Sequence, residues 1–140
     1  MLEIQQPDDL ISISLYNVFS IRKDERKFIK YAKDWNKKIV LHIKPFYPVT
    51  VIFEGSSIKF ERGETPNPDM KVTIHINIML DIAYGRENPF YAMEEGKMEI
   101  EGLGDDSEKI MRFYNIFVAS MEKVAQEPNL NYYELNKDTR

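Results

Sequence analysis

Residues 67–102, NPDMKVTIHINIMLDIAYGRENPFYAMEEGKMEIEG, constrain the fold more than any other stretch, because each junction within them carries its own turn chemistry. Val72, Ile74 and Ile76 alternate with Lys71, Thr73 and His75, which predicts a half-buried strand over 70–76. Asn77 is placed to cap a helix carrying Ile78, Met79, Ile82 and Ala83, and Gly85 to close it in the left-handed conformation. Asn88-Pro89 opens a second short helix, with proline at the first position, where its missing N–H is no loss. Gly96 ends that helix, and 97–101 alternates again with Met98 and Ile100 inward. A strand, two helices and a strand without a reactive group outline a wall around an apolar space.

The rest of the chain is long enough to close that space. A chain of 140 residues fits one domain and buries about two thirds of its unfolded surface. The expected division is a single domain over 1–126 and a polar tail over 127–140, in which Leu130, Tyr132, Tyr133 and Leu135 offer a means of docking. The absence of cysteine removes disulfides, thiolate zinc sites and a cysteine nucleophile together. A net charge of −4 with interleaved acids and bases weighs against nucleic-acid binding. No apolar run approaches a membrane span, and there is no basic-then-apolar leader, so the expected location is the cytoplasm. The C-terminal Asp138-Thr139-Arg140 is not a peroxisomal tripeptide.

Ahead of the central stretch, Pro7-Asp8-Asp9 starts a helix on which Ile11, Leu15, Val18 and Phe19 share a face, although Ile11, Ile13 and Leu15 also alternate. Asp24 is expected to cap a second helix to about residue 37, burying Phe28, Ile29, Ala32 and Trp35. Strands are predicted at 39–44, 49–54 and 57–61, with Ile39, Leu41, Ile43, Val51, Phe53, Ile58 and Phe60 inward. With the two central strands, these make an α+β fold with about five mainly antiparallel strands covered by helices. Asp105 and Glu108 have capping-box spacing at the start of a last helix. Its apolar run through Ile110, Met111, Phe113, Tyr114, Ile116, Phe117, Val118 and Met121 is wide enough to be covered on two sides.

Chemistry-bearing patterns are few. Gly102-x-Gly104 lacks the third glycine of a dinucleotide motif, since residue 107 is Ser107, and Asp105 and Asp106 would repel phosphate. His42 and His75 face away from the apolar set with no third ligand pattern, so no metal site is expected. Glu94, Glu95, Glu99 and Glu101 read as exposed charge, and no catalytic residue is assigned. The methionines are the remaining signal. Residue types alone leave two readings open: a Met-rich core, and a deformable lining for a variable apolar ligand.

Read as Leu80-Asp81-Ile82-Ala83-Tyr84-Gly85, Asn88-Pro89, Ala92 and Gly96-Lys97-Met98-Glu99-Ile100-Glu101-Gly102, the central stretch resembles the sterol carrier protein type 2 family of lipid-binding domains. Coarser similarity in element order covers about residues 8–121. The chain departs from the family pattern at Leu103-Gly104-Asp105-Asp106, where a Met-Gly loop is common, and at Asn77, where an acidic cap is common. The resemblance implies an internal apolar cavity that carries a fatty acid, acyl ester or sterol-like lipid without catalysis, cofactor or metal. The residues expected to line it are Phe53, Ile74, Ile82, Phe90, Met93, Met98, Ile100, Ile110, Phe113, Tyr114, Phe117 and Met121. Membrane contact would be transient at most. The lack of a concentrated Arg/His cluster predicts little preference among head groups. The alternative is an interaction or dimerisation module of the same fold with no small ligand, or, further off, a small isomerase or hydrolase using Asp81 beside Tyr84 or Tyr114.

Overall fold

The computed structural model describes residues 2–104 and 106–127. The strands are β1 (Glu3–Ile4), β2 (Lys37–Lys44), β3 (Val49–Glu54), β4 (Ser57–Arg62), β5 (Met70–His75) and β6 (Met98–Glu101). The helices are α1 (Leu10–Ser20), α2 (Arg26–Ala32), α3 (Ile76–Ala83) and α4 (Pro89–Glu94). A composite last helix runs as α5 (Ser107–Phe113), a π-helical segment (Tyr114–Val118) and α6 (Ala119–Gln126). The fold is α+β, as expected, but among the described residues the sheet has six strands in the order β1-β4-β3-β2-β5-β6 and is mixed.

Two pairings account for the difference. The β2–β3–β4 meander is antiparallel, and the chain then crosses back so that β5 pairs parallel with β2, Leu41 opposite Val72 and Ile43 opposite Ile74. Alternation in a sequence reports which face a residue takes and is blind to strand direction. The crossing loop is pinned by Thr50, a buried side chain whose Oγ1 donates to Gly63 O at 2.8 Å and accepts from Thr65 N at 3.0 Å. The second parallel pair is β1 on β4, held by Glu3 N–H to Ser56 O and Gln5 N–H to Ile58 O. Two residues are too few for a periodic pattern to show.

One sheet face carries Ile39, Leu41, Ile43, Val51, Phe53, Ile58, Met70, Val72, Ile74 and Met98 into the core. Val40 and Ile52 are buried on the other face but lie outside that cluster. α1 is a helix, capped by Asp9. α2 is shorter than expected: Glu25, not Asp24, occupies the cap position, and Asp34 adopts a φ of 56° just past the end. Trp35 therefore leaves the helix and packs on Phe53, ring centroids 4.9 Å apart. β5 runs straight into α3, so His75, not Asn77, is the N-cap, its Nδ1 accepting from Asn77 N–H at 3.1 Å. Asp105 lies outside the described residues, and Asp106 caps the last helix through the amides of Glu108 and Lys109. Tail residues 128–140, with Leu130, Tyr132, Tyr133 and Leu135, also lie outside them.

Tyr47 fastens α1 to the sheet. Its hydroxyl donates to Asp9 Oδ2 at 2.6 Å and accepts from Ile11 N at 3.0 Å, while the Arg62 guanidinium lies 4.2 Å from the ring centroid. Burial pushes the Asp9 carboxyl up, but hydrogen bonds from Tyr47 and Ser12 and the Arg62 charge outweigh it and hold the group below its ordinary value. A carboxyl lowered by folding stabilises the fold above the ordinary carboxylate range, and that contribution fades as pH falls through the folded value. Asp9→Ala is expected to cost about 0.5–2 kcal/mol at neutral pH, the usual loss of a cap. The difference from the parent should shrink below about pH 4, as denaturant melts across pH would show.

Two glycines separate backbone strain from steric clash. Gly85, at the C-terminal end of α3, has φ +78° and open space where a Cβ would stand. Gly102 has φ +89°, and a Cβ there would run into the carbonyl of Asp69, where β6 passes the start of β5. Gly85→Ala should therefore cost only the left-handed penalty of about 1–2 kcal/mol. Gly102→Ala should cost clearly more, because backbone must move. Thermal unfolding that ranked Gly85→Ala as the worse of the two would refute this account.

Candidate functional site

An apolar cavity of about 40 Å³ lies between the sheet and the helices. Its floor is Leu41, Ile43, Val72, Ile74 and Met98 from the strands. α1 supplies Leu15, Val18 and Phe19, α3 supplies Met79 and Ile82, and the last helix supplies Phe113, Phe117, Val118 and Met121. Every one of these side chains is apolar. The floor forms because alternation on β2 and β5 is in phase across their parallel register, so Leu41/Val72 and Ile43/Ile74 stand side by side.

Around this cavity the structure brings together Ile74, Ile82, Met98, Phe113, Phe117 and Met121 of the expected residues. Phe90, Met93, Ile100, Ile110 and Tyr114 instead gather around a smaller gap of about 10 Å³ between α4, β6 and the last helix. The two spaces share Met98, Phe113 and Val118, and the Phe90 and Tyr114 rings stack at 5.8 Å. Phe53 is a correction. It is 1% exposed and packed between Trp35 and Phe117, in the solid part of the core and not at the cavity. Trp35 fills the space next to it because α2 ends early.

Sequence reasoning missed Leu15, Val18, Phe19, Leu41, Ile43, Val72, Met79 and Val118. Most were already placed on inward faces. Which inward residues border a gap depends on how the elements stack, and periodicity carries no such signal.

Two clefts adjoin the cavity. One, of about 130 Å³, lies between α3 and α6 and shares Val18, Met79 and Met121 with it. The other is polar, about 310 Å³, and runs along the α3–α4 turn, bordered by Arg86, Glu87, Asn88, Phe90, Tyr114 and Glu122, with Ile82 common to cleft and cavity. Arg86 Nε binds Asp81 Oδ1 at 2.9 Å. Glu87 Oε1 is buried with Lys97 Nζ 3.5 Å away, an ion pair without a good hydrogen bond. The Tyr114 hydroxyl and the Glu122 carboxyl border this cleft together. Burial pushes the Glu122 carboxyl above its ordinary value, and burial with the nearby Glu122 charge pushes the Tyr114 hydroxyl up.

Among the described residues there is no group of three or more His, Asp or Glu side chains placed to hold a metal ion. Among them, too, no helix is long and apolar enough to cross a membrane. The lining offers dispersion and desolvation to an apolar body and no acid, base or nucleophile to react with it.

Comparison with known proteins agrees with this architecture. The crystal structure of a sterol carrier protein 2 superposes with a TM-score of 0.58 at 14% identity, over 79% of this chain and 95% of that one. A UbiJ-SCP2 ubiquinone synthesis protein gives 0.56 at 12% identity, over 87% and 99%. The sec-alkylsulfatase Pisa1 from Pseudomonas sp. gives 0.57 at 14% identity, over 77% of this chain, which spans only 16% of that enzyme. At these identities the likeness concerns the fold. No curated protein matches the sequence. The model of the SCP-2 sterol transfer family matches residues 20–118, well over half of the chain. The chain belongs to the SCP-2 sterol transfer family.

Proposed function

We propose that the protein binds and carries a long apolar ligand, a lipid or a molecule like one, in the cavity under the last helix, without catalysing a reaction on it. The observation that carries this reading is the uniformly apolar lining, drawn from sheet, α1, α3 and the last helix together. Burying an alkyl chain contributes about 0.8 kcal/mol per methylene, so a sixteen-carbon chain offers about 13 kcal/mol gross. Association and ordering consume a large part of that, leaving affinities in the micromolar range or tighter.

The present volume of about 40 Å³ does not admit such a chain: an engineered apolar cavity that takes up benzene measures about 150 Å³. Binding therefore requires the walls to part. Met79 and Met121, half-buried at the boundary with the α3–α6 cleft, are unbranched and shift at little cost. The small volume favours a second reading, an interaction module of the same fold that takes no free small molecule. Native mass spectrometry of protein purified without detergent distinguishes them. Adducts of lipid mass support carriage, and an adduct-free dimer supports the module.

Two tryptophan variants test where the ligand lies. Met121→Trp is expected to fill the cavity mouth, weaken displacement of a fluorescent fatty acyl probe by about tenfold or more, and shift the melting midpoint little. Phe117 contacts the rings of Phe19, Phe53 and Phe113, with centroids 5.2, 6.1 and 5.1 Å away. Phe117→Trp should overpack that cluster and lose about 1–3 kcal/mol of stability. Unchanged probe binding by Met121→Trp would remove the ligand from this cavity.

A further inference from the structure

The polar cleft along the α3–α4 turn has chemistry that the apolar cavity lacks. Its charges are unevenly matched. Arg86 is neutralised by Asp81, and Glu87 by Lys97. Glu122 forms no ion pair among the described residues, so the cleft holds one carboxylate that none of their cations matches, with the Tyr114 hydroxyl on the same wall. Beside it the Phe90 and Tyr114 rings stack with an interplanar angle of 15°, and Phe90 is 47% exposed. A half-buried carboxylate next to open aromatic faces, in a space of about 310 Å³, suits a cation that is itself weakly hydrated.

We infer that this cleft binds the ammonium head of a cationic amphiphile, whose chain passes Ile82 into the apolar cavity. The inference rests on the carrier reading for the chain and adds a choice of head group. Ile82 lines both cleft and cavity. Phe90 and Tyr114 also border the gap beneath α4, so apolar surface is continuous on that side as well. A hydroxyl head would gain one acceptor in Glu122 but no ring attraction. A carboxylate head would meet Glu122, with Arg86 already engaged by Asp81 and lying over the Tyr84 ring at 5.1 Å. The expected order is therefore ammonium above alcohol above carboxylate at equal chain length, against the indifference to head group expected from the sequence.

The test uses the full chain and three ligands of one chain length: dodecyltrimethylammonium, dodecanol and dodecanoate, each below its micelle concentration, with displacement of a fluorescent acyl probe as readout. Dodecyltrimethylammonium should displace the probe at a concentration about five- to tenfold lower than dodecanoate. Glu122→Gln and Phe90→Leu should each erase most of that margin between dodecyltrimethylammonium and dodecanoate. Tetramethylammonium, titrated alone, should perturb the Tyr114 ring resonances of the parent and not those of Glu122→Gln. Equal displacement by the three ligands, or a preference for dodecanoate, overturns the head-group inference and leaves the carrier reading standing. No displacement by any of them, with the Tyr114 ring still responding to tetramethylammonium, overturns the carrier reading and leaves the ammonium site. No response in either arm overturns both.

Discussion

The buried guanidinium of Arg22, 4% exposed, sets how the helices lie on the sheet. Removing a charge from water costs several kcal/mol unless its donors are satisfied. Arg22 meets that requirement by donating from Nη1 to Asn115 O at 2.6 Å and Ser120 Oγ at 3.3 Å, and from Nε to Glu25 Oε1 at 3.0 Å, with the Phe28 ring 5.5 Å away. The acceptor carbonyl exists because the last helix widens. The Ala119 amide bonds back to Tyr114 O, five residues earlier, and not to Asn115 O, its partner in a regular α-helix. The π segment and the arginine thus require each other: the turn exposes a carbonyl, and the cation occupies it.

A second arginine completes the joint. Arg112 Nη1 donates to Tyr31 O at 2.7 Å and to Lys33 O at 3.3 Å, where the carbonyls at the end of α2 lack helical partners. Its guanidinium lies 5.5 Å from Trp35. The last helix is therefore fixed at Asn115 and Ser120 to the α1–α2 turn, and at Arg112 to the end of α2. Along that seam the rings of Phe28, Phe19, Phe117 and Phe53 pack in sequence, each within about 6 Å of the next. On the opposite side α3 and α6 meet through Met79, Leu80, Met121 and Val124 around a shallow apolar cleft. One side of the interior is a run of packed rings, and the other is a cleft lined largely by unbranched and aliphatic side chains.

This division explains what could be read from the sequence. The turn chemistry of 67–102 placed two strands and two helices to within a residue or two, because Gly85, Asn88-Pro89 and Gly96 act locally. The family hallmark at Gly102 has a physical reason visible only in three dimensions, the passage of the Asp69 carbonyl. Local chemistry was silent wherever a partner distant in sequence decides. Thr50 looked like an ordinary strand residue and proves to hold the crossover loop, thirteen residues away. Arg22 carries no local signal of its role, and its side chain is the one buried charge among the described residues. The last helix was read correctly as covered on two sides, but no pattern in Tyr114–Val118 announces a π turn. Half of the expected lining faces the cavity because inward direction is a local property, whereas adjacency to a void is not.

The closed state of the cavity follows from the size of the alternative. A void left in an apolar interior costs about 24 cal/mol per Å³. At that rate the 40 Å³ seen here costs about 1 kcal/mol, which a domain of this size tolerates. An empty space of about 400 Å³, typical of small-ligand sites, would cost about 10 kcal/mol, comparable to the whole stability of the fold. On the carriage reading the walls part for the ligand and close behind it, and the residues that move must do so without strain. Methionine meets that condition better than leucine or isoleucine, because three rotatable bonds let it occupy either shape in a staggered conformation. Met79, Met98 and Met121 stand on three different walls of the same small space. The methionine content that residue types alone left ambiguous is therefore compatible with both readings at once: a core when the cavity is shut and, on the carriage reading, a lining when it is filled.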